Sequence, residues 1–213
     1  MRLTKFGHAC VRLEQGDTTL VIDPGMFTEP AALAGADAVL ITHEHADHFE
    51  AAALRAALAA DPELRVFTNR AVAEQLDGVA QRVTVVGEGD AFEIGGIGVS
   101  VHGEWHAVIH PEIPLVRNIG FLVDGRVFHP GDALTVPPHA VETLLLPIAG
   151  PWTKVSELVD YVREAGPSRA LPIHDAVLSP AGLAVHTRLV GPGGPGTGAE
   201  VSALAAGESL DLG

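Results

Sequence analysis

The chain holds a single cysteine, Cys10, so no internal disulfide can form, and the composition fits a reducing cytoplasm. Beside a strand-like stretch, Cys10 reads as a small buried hydrophobe rather than a nucleophile. Aromatic residues make up only 5% of the 213 positions, and Trp105 and Trp152 are the two tryptophans. Either could wall a pocket or sit in the core. Positive charge is scarce: 13 Lys+Arg against 27 Asp+Glu leave a net charge of −14. With no Lys/Arg stripe, long nucleic acid would meet a repulsive field and is not an expected partner. No apolar run reaches the length of a membrane span, and Met1–His8 lacks the apolar stretch of a signal peptide. The Gly-x-Ser-x-Gly elbow of serine hydrolases is also missing, which removes support for a serine nucleophile.

What the chain does have is a globular composition, 47% hydrophobic, over a length that suits one domain spanning 1–213. Short β-branched and apolar runs recur at 10–13, 18–22, 38–41, 64–67, 82–86, 98–101, 119–123 and 143–146. Gly16-Asp17 and Asp124-Gly125 sit between runs as hairpin signals. Helical patterns are interleaved. Val155, Leu158, Val159 and Val162 fall on one face, with Thr153 as N-cap and Gly166-Pro167 as stop. Ser179-Pro180 opens another helix, and the Ala-rich stretch near 49–60 a third. Residues 191–198 read as a Gly/Pro loop, followed by a last edge strand at 208–212. Strands in both hairpin and α/β contexts imply mixed sheets covered by helices.

The densest chemistry is Thr42-His43-Glu44-His45-Ala46-Asp47-His48, directly after the apolar run Ala38–Ile41. Imidazole and carboxylate are the ligands that borderline divalent ions prefer. In a strand-to-loop segment His43 and His45 project to the same side, while Asp47 and His48 fall at the turn and can face a neighbouring ion. A polar helix start capped by Asp47 would explain the aspartate but not three histidines.

This His-x-His-x-Asp-His pattern resembles the signature of the metallo-β-lactamase fold superfamily of dinuclear metallohydrolases. The chain looks closest to the compact branch of ascorbate-6-phosphate lactonase-like enzymes and small metal-dependent hydrolases. The likeness extends to Gly7-His8-Ala9-Cys10, Ile22-Asp23-Pro24, His106, Gly131-Asp132 and Pro172-Ile173-His174, in that order. It implies an α+β fold, a four-layer αββα sandwich of two mixed sheets. It also implies two divalent ions, zinc first, with manganese or iron as alternatives. One ion would lie on His43, His45 and His106, the second on Asp47, His48 and His174, with Asp132 between them. Asp47 and Asp132 would be the catalytic carboxylates. His110 is the substitute should His106 not be the third histidine, and it is otherwise a candidate for contact with substrate. His102 would face away from Val99 and Val101 within its strand. Asp23 suits an outer role behind a metal-bound histidine, or a plain turn before Pro24. His8 is a contact near the metals or a buried structural histidine. Asp132 and His174 each also admit a turn reading, Asp175 and His129 have no assigned role, and His139 and His186 read as surface residues.

The implied activity is hydrolysis of a small ester, lactone or phosphoester by water activated between the two ions. Histidine rather than glutamate at position 45 argues against flavodiiron-type oxidoreductases. The lack of a downstream cysteine argues against the antibiotic-hydrolysing branch with a cysteine ligand. A mononuclear iron enzyme acting on thiols or persulfides, and a non-catalytic metal-binding or regulatory protein, are the alternatives. The expected partner is a small-molecule substrate, with no membrane; self-association into a homo-oligomer is left open.

Overall fold

A computed structural model describes residues 1–213 as two seven-stranded sheets packed face to face, with helices on both outer faces. The first sheet contains β1 (Arg2–Lys5), β2 (Val11–Gln15), β3 (Thr18–Ile22), β4 (Ala38–Ile41), β5 (Arg65–Thr68) and β6 (Val83–Val85). The second contains β7 (Ala91–Ile94), β8 (Ile97–His102), β9 (Gly120–Val123), β10 (Val127–His129), β11 (Thr143–Pro147), β12 (Arg169–Ile173) and β13 (Glu200–Val201). The last strand, β14 (Ser209–Asp211), returns to the first sheet and pairs antiparallel with β1, so the chain closes the edge on which it began. Four helices, α1 (Ala51–Ala60), α2 (Arg70–Glu74), α3 (Val155–Ala165) and α4 (Pro180–Val190), complete the layers.

Strand parity explains why four layers form. In β4, Ala38 and Leu40 join the core between the sheets, whereas Val39 and Ile41 join the cluster with Leu54 and Leu58 of α1 and Val72 of α2. The second sheet divides likewise. Val123 and Leu145 face the first sheet, while Leu122, Leu144 and Leu146 pack against Leu158 and Val162 of α3. A strand buried on both faces needs a continuous apolar run, which is how these segments read in the sequence.

Hairpins at 16–17 and 124–125 connect the antiparallel pairs β2–β3 and β9–β10, while β3–β4–β5–β6 and β10–β11–β12 are parallel. Pro172 is tolerated in β12 because β13 pairs only with Arg169 and Ala170, leaving the edge beside the proline open. The Ala-rich helix is capped by the Glu50 side chain, which leaves Asp47 out of the capping role. One helix start differs from the sequence expectation. Lys154 rather than Thr153 is the N-cap of α3, because Glu157 accepts the Lys154 backbone N–H while the Thr153 hydroxyl donates to the Gly150 carbonyl. Ser179 caps α4 and left-handed Gly166 ends α3, as the pattern indicates. No helix is long and apolar enough to cross a membrane.

Candidate metal centre

Parallel strand direction gathers the chemistry at one end of the sandwich. Asp23 follows β3, His43 follows β4 by two residues, and His174 follows β12 directly; His106 and Asp132 lie a few residues past β8 and β10. The carboxyl ends of such strands are where αβ sheets leave an open crevice. Here they bring the donor atoms of His43, His45, His106 and Asp132 within 4.8 Å of one another, and likewise those of His8, Asp47, His48 and His174. Asp132 reaches both sets. Its Oδ1 lies 3.0 Å from His48 Nε2, and its Oδ2 lies 3.1 Å from His174 Nε2, 3.3 Å from His106 Nε2 and 3.8 Å from His43 Nε2.

These atoms are so placed that they could hold a cation. The Nε2 atoms of His48, His106 and His174, with His174 Nδ1 and Asp132 Oδ1, are buried and lack any hydrogen-bond partner of proper geometry. Buried polar atoms left unpaired in this way are costly, on the order of 1–3 kcal/mol each, and rare. Their convergence, together with an imidazole-rich donor set, fits divalent ions that take nitrogen and oxygen ligands.

The opposite ring atoms are tied down. Asp23, fully buried, accepts from His48 Nδ1 at 2.7 Å, from the Thr42 hydroxyl at 2.7 Å and from the Thr42 N–H at 2.8 Å. The Thr42 hydroxyl in turn accepts from His43 Nδ1 at 2.9 Å, so one carboxylate orients two histidines. His106 Nδ1 donates to the Ala107 carbonyl at 2.6 Å. Each bond takes up Nδ1 and turns Nε2 toward the cluster, where His43 Nε2 lies 3.1 Å from His45 Nδ1.

His8 plays a different part. Its Nδ1 accepts the Ala176 N–H at 3.1 Å, so Nε2 carries the proton and donates to Asp47 Oδ2 at 3.2 Å. The ring therefore orients Asp47. His129 is buried between the Ala9 carbonyl, 2.9 Å from Nε2, and the Gly131 N–H, which donates to Nδ1 at 3.1 Å. It braces the Asp132 turn against the His8 loop.

The backbone is bent to suit. His8, Asp23 and His174 are three of the four non-glycine residues with positive φ, a conformation that persists only where surroundings enforce it. Gly25 is required by contact: a Cβ there would lie 2.0 Å from the Asp47 carbonyl carbon, where the 23–27 loop crosses the 45–48 turn. Gly131, at φ +65, would place a Cβ 2.2 Å from Asn118 Oδ1, the atom that accepts the Asp132 N–H at 3.0 Å.

Electrostatics in the metal-free protein separate the histidines into two kinds. Burial, with His48 beside it, holds His43 well below the ordinary histidine value, and burial lowers His45 as well. Burial also opposes the charged forms of His48 and His174, but nearby carboxylates outweigh it. Asp132 and Asp23 push His48 well up, and Asp132 and Asp47 push His174 up to about 9. Burial would likewise raise Asp132 and Asp47, yet the surrounding imidazoles keep both carboxyls well below their usual range.

The other candidates fall outside this cluster. His110 is exposed on the 107–116 loop, where its Nδ1 accepts the Glu112 N–H, so of the two neighbouring histidines the structure brings His106 to the donors. His102 faces the Ser100 side of β8, its Nε2 2.8 Å from the Ser100 hydroxyl. His139 is exposed. His186 is less free than expected, with Nδ1 3.1 Å from the Ile148 carbonyl. Asp175 does not orient His174; it pairs with the buried Lys5, whose ammonium also donates to the Pro172 carbonyl at 3.2 Å. Cys10 is fully buried, and burial raises its thiol pKa further. Trp152 stands edge-on to His106 and His174, with centroids at 5.7 and 6.0 Å, and so walls the centre, whereas Trp105 lies outside under Arg117. Sequence reasoning missed Thr42 and Asn118. Thr42, immediately before the first histidine, was in view; Asn118 carried no signal, since its partners lie across the fold.

Residues 2–174 match the model of the beta-lactamase superfamily domain. Protein Rv0786c of Mycobacterium tuberculosis is 41% identical over 192 residues, covering 87% of this chain and 89% of that protein. A protein of Natranaerobius thermophilus named UPF0173 metal-dependent hydrolase is 29% identical over 192 residues, covering 82% of this chain and 83% of its own. Among solved structures, Igni18, a metallo hydrolase from Ignicoccus hospitalis, superposes with a TM-score of 0.76 at 21% identity, over 98% of this chain and 97% of that one. Sequence match and architecture agree: this chain belongs to the beta-lactamase superfamily and has the metallo-β-lactamase fold.

Proposed function

We propose that this protein is a metal-dependent hydrolase with a dinuclear centre, zinc in the first instance, acting on a small ester, lactone or phosphoester. The naming of its Natranaerobius relative as a metal-dependent hydrolase supports the hydrolase class. The observation that carries the finer reading is the double reach of Asp132 toward two groups of unpaired, buried imidazole nitrogens.

His43, His45 and His106 would hold one ion, Asp47, His48 and His174 the other, with Asp132 between them. Ions held there would supply a water of lowered pKa, toward about 7, and Lewis-acid polarisation of the substrate's carbonyl or phosphoryl oxygen. The protein's own groups do the rest. Asp47, whose side chain is 25% exposed, is the most open carboxylate of the cluster and orients the attacking water as an acceptor. His8 fixes the carboxylate's rotation by donating to Oδ2. Asp23, through Thr42 and directly, keeps His43 and His48 in the tautomers that present Nε2. Trp152 excludes bulk water from one side.

The substrate is a small molecule. With a net charge of −14 and no basic stripe, the protein has little to hold a long phosphate backbone. A single thiol, buried, suits the cytoplasm. Elemental analysis after reconstitution should give about two transition-metal ions per chain, and the loaded protein should hydrolyse at least one of a panel of lactones, nitrophenyl esters, thioesters and phosphodiesters. Absence of bound metal after reconstitution would refute this function, and fast cleavage of single-stranded RNA alone would refute the substrate class.

A further inference from the structure

Ten large apolar side chains are conspicuously exposed, and all but Val85 and Val185 lie on segments that flank or follow the residues of the centre. Scattered exposed apolar residues are ordinary; a concentration around a site is not. Met26 and Phe27 follow Asp23; the Met26 N–H donates to the Ala46 carbonyl at 2.8 Å, and the Phe27 ring lies 5.2 Å from the His8 ring. Val177 follows Ala176, whose N–H is held by His8. Val108, Ile113 and Leu115 belong to the 107–116 loop and line a shallow cleft of about 500 Å³. The base of that loop is pinned to the centre. The His106 N–H donates to the Val116 carbonyl at 3.1 Å, and the Ala107 N–H to the Asp132 carbonyl at 2.8 Å. Pro111 and Pro114 stiffen its tip, so these side chains are held out rather than left loose.

The same segments offer no free cation. Arg117 lies over the Trp105 ring at 3.7 Å and is 3.6 Å from Glu104. Lys5 is buried against Asp175, and Lys154 lies 3.3 Å from Glu157. Arg70, exposed on α2, lies in a separate cleft with Glu88, Asp90 and Glu104, so a phosphorylated substrate at this rim would find the ions and the paired Arg117 to neutralise it. An uncharged substrate with an aliphatic tail would find a greasy rim.

Resting on the hydrolase reading above, we infer that the substrate is an uncharged ester or lactone bearing an aliphatic chain, which lies against Phe27, Val177 and the 107–116 loop. Reaction consumes one water, breaks the acyl C–O bond, and gives a carboxylic acid and an alcohol or, from a lactone, a hydroxy acid.

The test uses zinc-loaded protein with nitrophenyl esters from acetate to octanoate, bis-nitrophenyl phosphate, and alkyl hydroxamates from acetyl to octanoyl as zinc-binding probes that need no turnover. The expected kcat/KM rises roughly two- to fourfold per methylene, through KM, as apolar area is buried, and hydroxamate affinity rises in parallel. Ile113→Ser and Leu115→Ser should cut the octanoate-to-acetate ratio at least about tenfold together, while Val185→Ser, on α4, leaves it unchanged. Chain-length-dependent hydroxamate binding without any ester turnover would support the apolar rim while overturning the hydrolase reading. Ester turnover with no chain-length dependence in either series would overturn the inference and leave the hydrolase standing. Faster phosphodiester than ester cleavage would overturn the inference too. So would light scattering that shows a dimer converted to monomer by the two serine variants with the chain-length slope unchanged, since the rim would then be a contact between copies.

Discussion

The split between low and high histidine pKa values predicts that the two ions load with different proton linkage. In the metal-free protein His174 is pushed up to about 9 by Asp132 and Asp47, against the opposing effect of burial. At pH 7 it is therefore protonated, and an ion bound through that ring must first displace the proton. Two pH units correspond to about 3 kcal/mol, or roughly a hundredfold in apparent affinity. With a side chain only 3% exposed, His174 has little solvent screening to reduce that figure. His48 lies on the same side of the balance, whereas His43 and His45 are held low and are neutral at pH 7. The ion beside His43 and His45 should thus bind with little proton release from those two rings near neutrality. The second should tighten about tenfold or more per pH unit between pH 7 and 9. A raised native pKa also stabilises the metal-free fold. That gain is complete below the unfolded value of about 6.5 and is lost as pH rises through about 9. Long-range nitrogen-15 spectra of the metal-free protein read each imidazole directly, and zinc competition against a chelator across pH 6.5–9 reads the linkage. Asp47→Asn should lower the His174 value. Neutral His174 at pH 7.5 in the metal-free protein, or second-ion affinity that does not change with pH, would refute the reasoning.

Four further outcomes follow from the geometry. Asp23→Asn removes the acceptor that orients His48 and, through Thr42, His43, and should cost about 10–100-fold in metal affinity or activity, read by metal titration. Gly25→Ala drives a methyl into the Asp47 carbonyl and should disorder the 45–48 turn, lowering both Tm and metal content. Phe121→Ala, in the core between the sheets, should cost about 3–5 kcal/mol in denaturant unfolding. His139→Ala, on an exposed ring far from the donors in the fold, should leave metal content unchanged; loss of metal there would show the site has been misplaced.

The local pattern in the chain reaches far. Thr42–His48 follows a doubly buried strand, so period-two alternation and the turn at Asp47 were readable from residue order, as were the hairpins, the proline-started α4 and the glycine-ended α3. Short strands whose burial is settled by partners were not readable: β1, β7 and β13 lack a long apolar run, and α2 is a single turn capped by Asn69.

Tertiary structure alone decided which distant histidines meet. His106 and His110 share a sequence neighbourhood, and only the loop closure at Val116 puts the first among the donors and the second in solvent. Asp175 beside His174 could have served the imidazole; the buried ammonium of Lys5, delivered by β1, claimed it instead. His8 shows the same limit, because its tautomer depends on an N–H supplied by Ala176, 168 residues away. Ligand chemistry is local and is written in residue types and spacings. The division of labour among those residues depends on which lone pairs are already taken, and only the packed fold determines that.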